Sequence, residues 1–542
     1  MLTRHVLTSS QSRECDVKAV ERLGIPSIVL MENAALSVVE VLEKHVGVER
    51  GQTVVVACGR GNNGGDGLAI ARHLHSMGVN VSIYLMAHFS DLKGDAAINC
   101  VAASRIGIPI VEVADESKLR EFEGALKGAQ LVVDALLGTG ITGEVRGTIA
   151  KAVDAINSYG GQVVAVDVPS GINSDTGEIC GVCIRADVTV TLGAIKRGLL
   201  LFPGAEYVGD LFLGYIGVPK ELFESFEPSV QVTTEELVWK CYKPRALNTH
   251  KGDYGRVLIV GGSVGMTGAV MMCAVAALRG GAGLVTVALP KSLNNSFEAA
   301  VLEAMSLPLP ETEKMSISLD AVDIVLERAN VVDVLAIGPG ISRVPETQEF
   351  VRRLVRSSNR TIVLDADGIM AFAGKMDELK ERSCELVLTP HPGEMAALTG
   401  KTVTEVQQDR IGISQAVAEE LNAVVVLKGA HTVIASPDGN VYINLTGNPG
   451  MASGGTGDVL TGLIASLIAQ GNKPFEAASC GVFLHGLAGD MASWDKGEAS
   501  LIAGDLIEYL PKAITQPDMW MPICLRPLSA RVWFVSRGRR NE

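Results

Sequence analysis

The side chains able to do chemistry in this chain are a few acids, amides and hydroxyls set among glycines at the ends of apolar runs. After Thr53 to Cys58 comes Gly59-Arg60-Gly61-Asn62-Asn63-Gly64-Gly65-Asp66-Gly67. Gly59, Gly61 and Gly64 have the G-x-G-x-x-G spacing that lets a pyrophosphate approach a helix N-terminus. Asn62, Asn63 and Asp66 add amide and carboxylate oxygens, which are cation ligands, to that anion-receptive turn. A second loop, Asp134 to Glu144, repeats the glycine pattern at Gly138, Gly140 and Gly143, and a third run ends in Val166-Asp167-Val168-Pro169-Ser170-Gly171. An ordinary dinucleotide fold also wants an acid for the ribose at the end of the next strand, where this chain has His88-Phe89. The plainer alternative is that Asp134 and Asp167 cap helices and the glycines turn corners; three such loops together favour a binding crevice.

The second half carries a different chemistry. Gly454-Gly455-Thr456-Gly457-Asp458 opens an apolar stretch, Val459 to Ala469. Small residues at a helix start offer free amides to a phosphoryl group, and an Asp at their end can take a proton from an attacking hydroxyl. It is not a Walker A loop, since Gly400-Lys401-Thr402 has Met395 where the first glycine should stand. Further polar loops are Gly261 to Ala269, Gly338-Pro339-Gly340, Asp365-Ala366-Asp367-Gly368, Thr389 to Glu394 and Lys428 to Thr432.

Positioning these loops requires strands. β-branched runs at Thr53 to Cys58, Val79 to Leu85, Gln130 to Ala135 and Gln162 to Val168 each lead into glycine and then a helical stretch, the signature of a doubly wound parallel sheet. The pattern restarts at Arg256 to Val260, Gly283 to Leu289, Val334 to Ile337, Thr361 to Asp365, Glu385 to Leu388 and Ala423 to Leu427. The fold expected is α/β: two three-layer α/β/α domains, over 1–225 and 236–512, joined by a linker at 226–235 where periodicity fails. Helices are expected at Leu68 to Met77 and Val459 to Ala469, and an alternating strand over Glu178 to Leu192. Residues 513–542, rich in arginine, read as a disordered basic tail.

Composition narrows the partners. With 542 residues, 47% hydrophobic and 20% charged, the chain is globular, and its net charge of −14 disfavours nucleic acid. Ten cysteines are too dilute for a disulfide scaffold, and Cys180 and Cys183, though spaced C-x-x-C, read as small core residues. No signal-peptide layout opens the sequence, and the apolar windows Met266 to Leu289 and Val459 to Ala469 are interrupted or short, so no membrane partner and a cytoplasmic location are expected.

Residues 1 to about 225 resemble the epimerase domain of the bifunctional NAD(P)H-hydrate repair enzymes, on the strength of Asn62 to Gly67, Asp134 to Glu144 and Val166 to Gly171. From about 236 to 512 the glycine loops resemble the dehydratase domain of the same enzymes, in the fused order typical of bacterial members. The resemblance implies a Rossmann-like first domain and a ribokinase-like second. It implies that Asn62, Asn63, Gly64, Gly65, Asp66, Gly138, Thr139, Gly140, Ile141, Thr142, Gly143 and Glu144 cradle the hydrated dinucleotide, with Asp167 at the damaged ring. Potassium would be held by Asn63, Asp134 and Ser170. In the second domain it implies hydrate contacts at Ala269, Gly340, His391 and Asp458, and ADP contacts at Lys428, Gly429, Ala430, His431, Thr432 and Gly457, with magnesium bridging the phosphates. Asp167 and Asp458 are then the catalytic acids or bases, the substrates are the hydrates of NADH and NADPH with ADP, and a homo-oligomer is expected. A sugar or vitamin kinase with an accessory nucleotide-binding domain is the rival reading, and a non-catalytic nucleotide-binding scaffold a second.

Overall fold

In the computed structural model the described residues are 4–113, 115–141, 143–517 and 526–538. They form two compact units, 4–229 with 526–538, and 230–517. The strands of the first unit are β1 (Val6–Leu7), β2 (Thr53–Cys58), β3 (Asn80–Leu85), β4 (Ile110–Glu112), β5 (Leu131–Ala135), β6 (Gln162–Val166), β7 (Val188–Leu192), β8 (Ile195–Lys196) and β9 (Asp210–Gly214). Those of the second are β10 (Val230–Val232), β11 (Arg256–Val260), β12 (Leu284–Pro290), β13 (Met305–Leu309), β14 (Val334–Ile337), β15 (Thr361–Leu364), β16 (Leu386–Leu388), β17 (Val424–Leu427), β18 (Val433–Ala435) and β19 (Val441–Ile443). Two last strands, β20 (Arg526–Pro527) and β21 (Val532–Ser536), return to the first unit.

The first sheet runs β20-β21-β9-β7-β6-β5-β2-β3-β4 and is parallel from β9 to β4; β1 and β8 form a separate parallel pair. Its strands are apolar on both faces because helices cover both. In β2, Val54, Val56 and Cys58 join the core under the helices Ser27–Val41 and Asn62–Ser76. Val55 and Ala57 point to the opposite core, under Glu116–Leu126 and Gly147–Asn157. The second sheet runs β10-β19-β18-β17-β16-β15-β14-β11-β12-β13, parallel except where β18 pairs antiparallel with β17 and β19. Thr267–Arg279, Thr456–Ala469, Pro474–Lys496 and Ala503–Thr515 cover one face; Arg410–Leu421 packs on the other side against β17 and β18. The expected α/β class with layered helices is what the chain forms. No helix among the described residues is long and apolar enough to cross a membrane.

Four expectations need correction. The helix expected from Leu68 begins at Asn62, so Gly64, Gly65 and Gly67 lie inside it, where they allow close packing: a Cβ on Gly64 would stand 1.9 Å from the Gly59 carbonyl oxygen. The strand expected over Glu178 to Leu192 is limited to β7, because the backbone before it turns back on Gly171 through Cys180 N–H. Part of the linker expected at 226–235 is β10, which extends the second sheet beside β19. The basic tail expected to be disordered from 513 instead begins inside the helix Ala503–Thr515, and its β21 pairs antiparallel onto β9 with β20 on the outer side of β21. Among its arginines the tail carries Val532-Trp533-Phe534-Val535, a β-forming run. Val532 and Val535 are fully buried, and the Phe534 ring meets Phe212 at 5.2 Å. Cys183 is buried, as expected of a small core residue, which pushes its thiol up to about 12, whereas Cys180 is only half-buried and does not join the core.

Candidate active sites

In the first unit the strand order reverses between β2 and β5, and ligands in open α/β sheets bind beyond the strand ends at such a point. The loops leaving those strands touch: Gly59 N–H donates to the Ala135 carbonyl at 3.0 Å, and a Cβ on Gly59 would lie 1.9 Å from the Leu136 carbonyl oxygen. Over them opens a cavity of about 1210 Å³. Asn62, Asn63 and Asp66 line it from the helix start, as do Gly138, Thr139, Gly140, Ile141, Gly143 and Glu144 from the β5 loop and Asp167 from the end of β6. Thr142 lies outside the described residues. Gly64 and Gly65 do not line it; they pack against Gly59 and Met31.

Asp134 and Ser170 sit behind the cavity wall. Asp134, fully buried on β5, accepts from Ser170 Oγ at 2.6 Å, Ser170 N–H at 2.8 Å and Leu136 N–H at 3.1 Å. Burial pushes its carboxyl up to about 6 despite those donors. Asn63 donates Nδ2–H to the Leu137 carbonyl at 2.9 Å, and its Oδ1 is buried without a hydrogen-bond partner. The orphaned Asn63 oxygen, the Ser170 hydroxyl and the Asp134 carboxylate, on residues that each bond to the Leu136-Leu137 turn, are hard-oxygen donors of the kind that could hold a potassium ion.

Asp167 has φ 65°, a left-handed backbone that is costly for a non-glycine residue and aims its carboxylate into the cavity wall. Its Oδ1 accepts from Lys196 Nζ at 2.5 Å, Leu192 N–H at 3.1 Å and Thr191 Oγ1 at 3.3 Å. Lys196 is only 2% exposed and also donates to the Leu192 carbonyl at 2.5 Å. Two more acids share this field. Burial pushes Asp16 up to about 6, with Lys196 pulling it down and Asp167 pushing it up. Burial, then Asp167 and Asp16, raises Asp66 well above the carboxylate range.

In the second unit the order reverses between β11 and β14. Asp365 follows β15 directly and Lys428 follows β17. Lys428 Nζ donates to Asp365 Oδ1 at 2.6 Å and lies 3.9 Å from Glu394 Oε2; Thr461 Oγ1 donates to Asp365 Oδ2 at 2.7 Å. The helix expected from Val459 begins at Thr456, so Asp458 stands in its first turn. A Cβ on Gly457 would be 3.3 Å from Lys428 Nζ. Burial and then the Asp365 charge push Asp458 up to about 7, while Lys428 restrains the rise. Burial also raises Glu394, against the pull of Lys428. Burial pulls Lys428 down, yet Asp365 and Glu394 outweigh it and hold the ammonium above its usual value.

The remaining expected residues fall around this cluster. Gly340, with φ 60°, has no room for a side chain, since a Cβ would lie 2.5 Å from the Met266 carbonyl oxygen and 3.2 Å from the Ala269 Cβ. His391 caps the helix Pro392–Thr399, its Nδ1 accepting from Gly393 N–H at 2.9 Å and its N–H donating to Glu394 Oε2 at 2.8 Å. That is the turn role a Pro-His-Pro sequence suggests, and it leaves the ring half exposed. In the loop Lys428 to Thr432, Thr432 Oγ1 donates to the Gly429 carbonyl at 2.9 Å, His431 has φ 51°, and Ala430 is exposed. His485, driven down to about 4 by burial, is neutral and bonds the Thr456 carbonyl at 2.8 Å, tying down the helix start.

Asp16, Lys196, Asp365 and Glu394 were not singled out from sequence. Asp365 and Glu394 stand inside polar motifs at strand ends, so their placement was readable. Asp16 and Lys196 have no such spacing and become neighbours of Asp167 only through the tertiary fold.

The profile described as NAD(P)H-hydrate dehydratase matches residues 257–512, and the one described as YjeF-related protein N-terminus matches residues 27–198. The bifunctional NAD(P)H-hydrate repair enzyme Nnr of Moorella thermoacetica is 46% identical over 94% of this chain and 96% of its own. That of Thermofilum pendens is 42% identical over 93% and 95%. Among solved structures, an ADP/ATP-dependent NAD(P)H-hydrate dehydratase from Bacillus subtilis, co-crystallised with ATP and magnesium, is 31% identical over 52% of this chain and 97% of its own, with a TM-score of 0.45.

Proposed function

The chain belongs to the bifunctional NAD(P)H-hydrate repair enzymes, and on that premise we propose how its two units divide the work. The first interconverts the R and S hydrates at C6 of the nicotinamide ring. The second removes water from the S form at the expense of ADP, giving NADH or NADPH, AMP and phosphate.

In the first unit, the backbone of Gly138 to Ile141 and the helix start at Asn62 suit the pyrophosphate. Asp167, on the sheet side of the cavity, exchanges a proton with the C6 oxygen. Potassium would be held by Asn63, Asp134 and Ser170, and would supply a fixed positive charge that steadies the phosphate loop. The orphaned Asn63 Oδ1 supports that assignment.

In the second unit, Asp458 accepts the proton of the C6 hydroxyl as the oxygen attacks the terminal phosphorus of ADP. The bond from that phosphorus to AMP breaks, and the amides of Gly455 to Gly457 receive the charge on the moving phosphoryl group. Loss of the phosphate from C6 with a proton from C5 then leaves the C5–C6 double bond. Phosphate departs more readily than hydroxide, which is why ADP is consumed. Asp365 and Glu394 already hold Lys428, Thr461 and the His391 N–H, so magnesium is best carried in on the ADP phosphates, whose charge it neutralises. Lys428 to Thr432 and Gly457 suit the nucleotide, and Ala269, Gly340 and His391 the hydrate.

The observation that carries this reading is Asp458, poised near neutrality in the first turn of a glycine-opened helix beside Lys428 and Asp365. The discriminating test follows products from S hydrate and ADP. AMP, phosphate and reduced dinucleotide should appear in equal amounts; a stable phosphorylated product would favour the kinase instead.

A further inference from the structure

Where the C6–O bond is broken and remade, the oxygen leaves one face and returns on the other, and a single anchored carboxylate serves only half of the task. Asp167 is anchored: all its donors are on Oδ1, leaving Oδ2 as the oxygen without a donor among the described residues. Of the other carboxylates lining the same cavity, Asp16, on the helix Ser9–Glu21, is set apart by its Oδ1, which is shielded from solvent with no hydrogen-bond partner. A shielded acceptor with no partner is costly and rarely kept without a role. Lys196, buried and bonded to Asp167, lines the same space, and its charge acts on Asp16 as well.

We propose that Asp16 is a second acid/base of the epimerisation, working from the helix side of the cavity while Asp167 works from the sheet side, with Lys196 as the residue that positions Asp167. This rests on the epimerase reading of the first unit. In one direction, protonated Asp16 gives its proton to the C6 hydroxyl. The C6–O bond breaks, water leaves, and the ring nitrogen lone pair forms a C6–N1 double bond. Water then adds to the opposite face of C6, the electron pair returns to N1, and the surplus proton passes to Asp167 Oδ2. The reverse reaction runs the same path backwards, and exchange with solvent resets the two acids. Burial of Asp16, which lifts it to about 6, keeps both protonation states populated.

The test uses the full chain with R hydrate, the product S form being trapped by its own dehydratase with ADP. Asp16→Asn should lower kcat for epimerisation about 100-fold or more, leave KM within about threefold, and leave turnover of S hydrate unchanged. Asp16→Glu should recover part of the loss, and it decides the matter if the Asn variant does not fold. Lys196→Met should also lower kcat with little change in KM, and Lys196→Arg should restore part of it. In heavy-oxygen water each inversion should bring one labelled oxygen to C6. Asp16→Asn turning over within about threefold of wild type, a loss confined to KM, or inversion without label would each overturn the proposal. Wild type inert on R hydrate would instead overturn the epimerase reading itself.

Discussion

Asp458 carries its proton near neutrality because burial and the Asp365 carboxylate oppose ionisation while Lys428 favours it. If it is the base, only its ionised form works. The dehydration rate should climb as pH rises to about 7 and level off above, and Lys428→Met, which removes the restraining charge, should move the climb to higher pH. Single-turnover rates between about pH 5 and 9 check both, and an unchanged profile in Lys428→Met would speak against the cluster. Asp458→Asn should lose dehydration by at least about 100-fold and keep epimerisation. Asp167 was legible in the sequence because it stands at the end of a β-branched run before a Pro-Ser-Gly turn, and Asp458 because it closes the glycine run that opens a helix. Asp16 and Lys196 were not, because a lone Asp on a helix and a lone Lys at the end of a two-residue strand carry no spacing that marks them.

Elements hold these residues through close backbone contact. A Cβ on Gly462, in the helix Thr456–Ala469, would lie 2.1 Å from the Cys273 carbonyl oxygen of the helix Thr267–Arg279. Gly462→Ala should therefore destabilise the second unit by about 1–3 kcal/mol and lower its dehydratase activity by displacing the Asp458 turn. A denaturant titration reads the first effect. The returning hairpin is a second case: removing residues 518–542 strips β21 from β9 and uncovers Val532's partners. A loss of about 3 kcal/mol, or roughly 6–12 °C in the Tm of the first unit, is expected, with the dehydratase reaction retained. Strands such as β2, β11 and β14 were readable to the residue because a doubly covered parallel sheet demands unbroken β-branched runs. The start of the helix at Asn62 was hidden because glycines score as helix breakers, and only the tight strand and loop beneath explain why they are tolerated.

At the scale of the whole molecule, buried acids make stability fall with pH. Asp16 and Asp134 are lifted to about 6, and Asp458 and Asp490 to about 7, all above the value near 4 of an unfolded chain. The folded state binds more protons, so these groups stabilise it most at low pH and lose that contribution as pH rises through 6 to 7. Potassium at Asn63, Asp134 and Ser170 should offset part of the loss. Its Tm benefit over choline at equal ionic strength should be larger near pH 8 than near pH 5.5. Whether one chain performs both steps is read out by giving the purified protein a mixture of R and S hydrates with ADP and magnesium and following the dihydronicotinamide absorbance to its end. Complete recovery of the reduced dinucleotide is expected, and recovery that stops at the S fraction in Asp167→Asn. Wild type that stops at the S fraction, or recovers nothing, would contradict the performance of both steps by one chain.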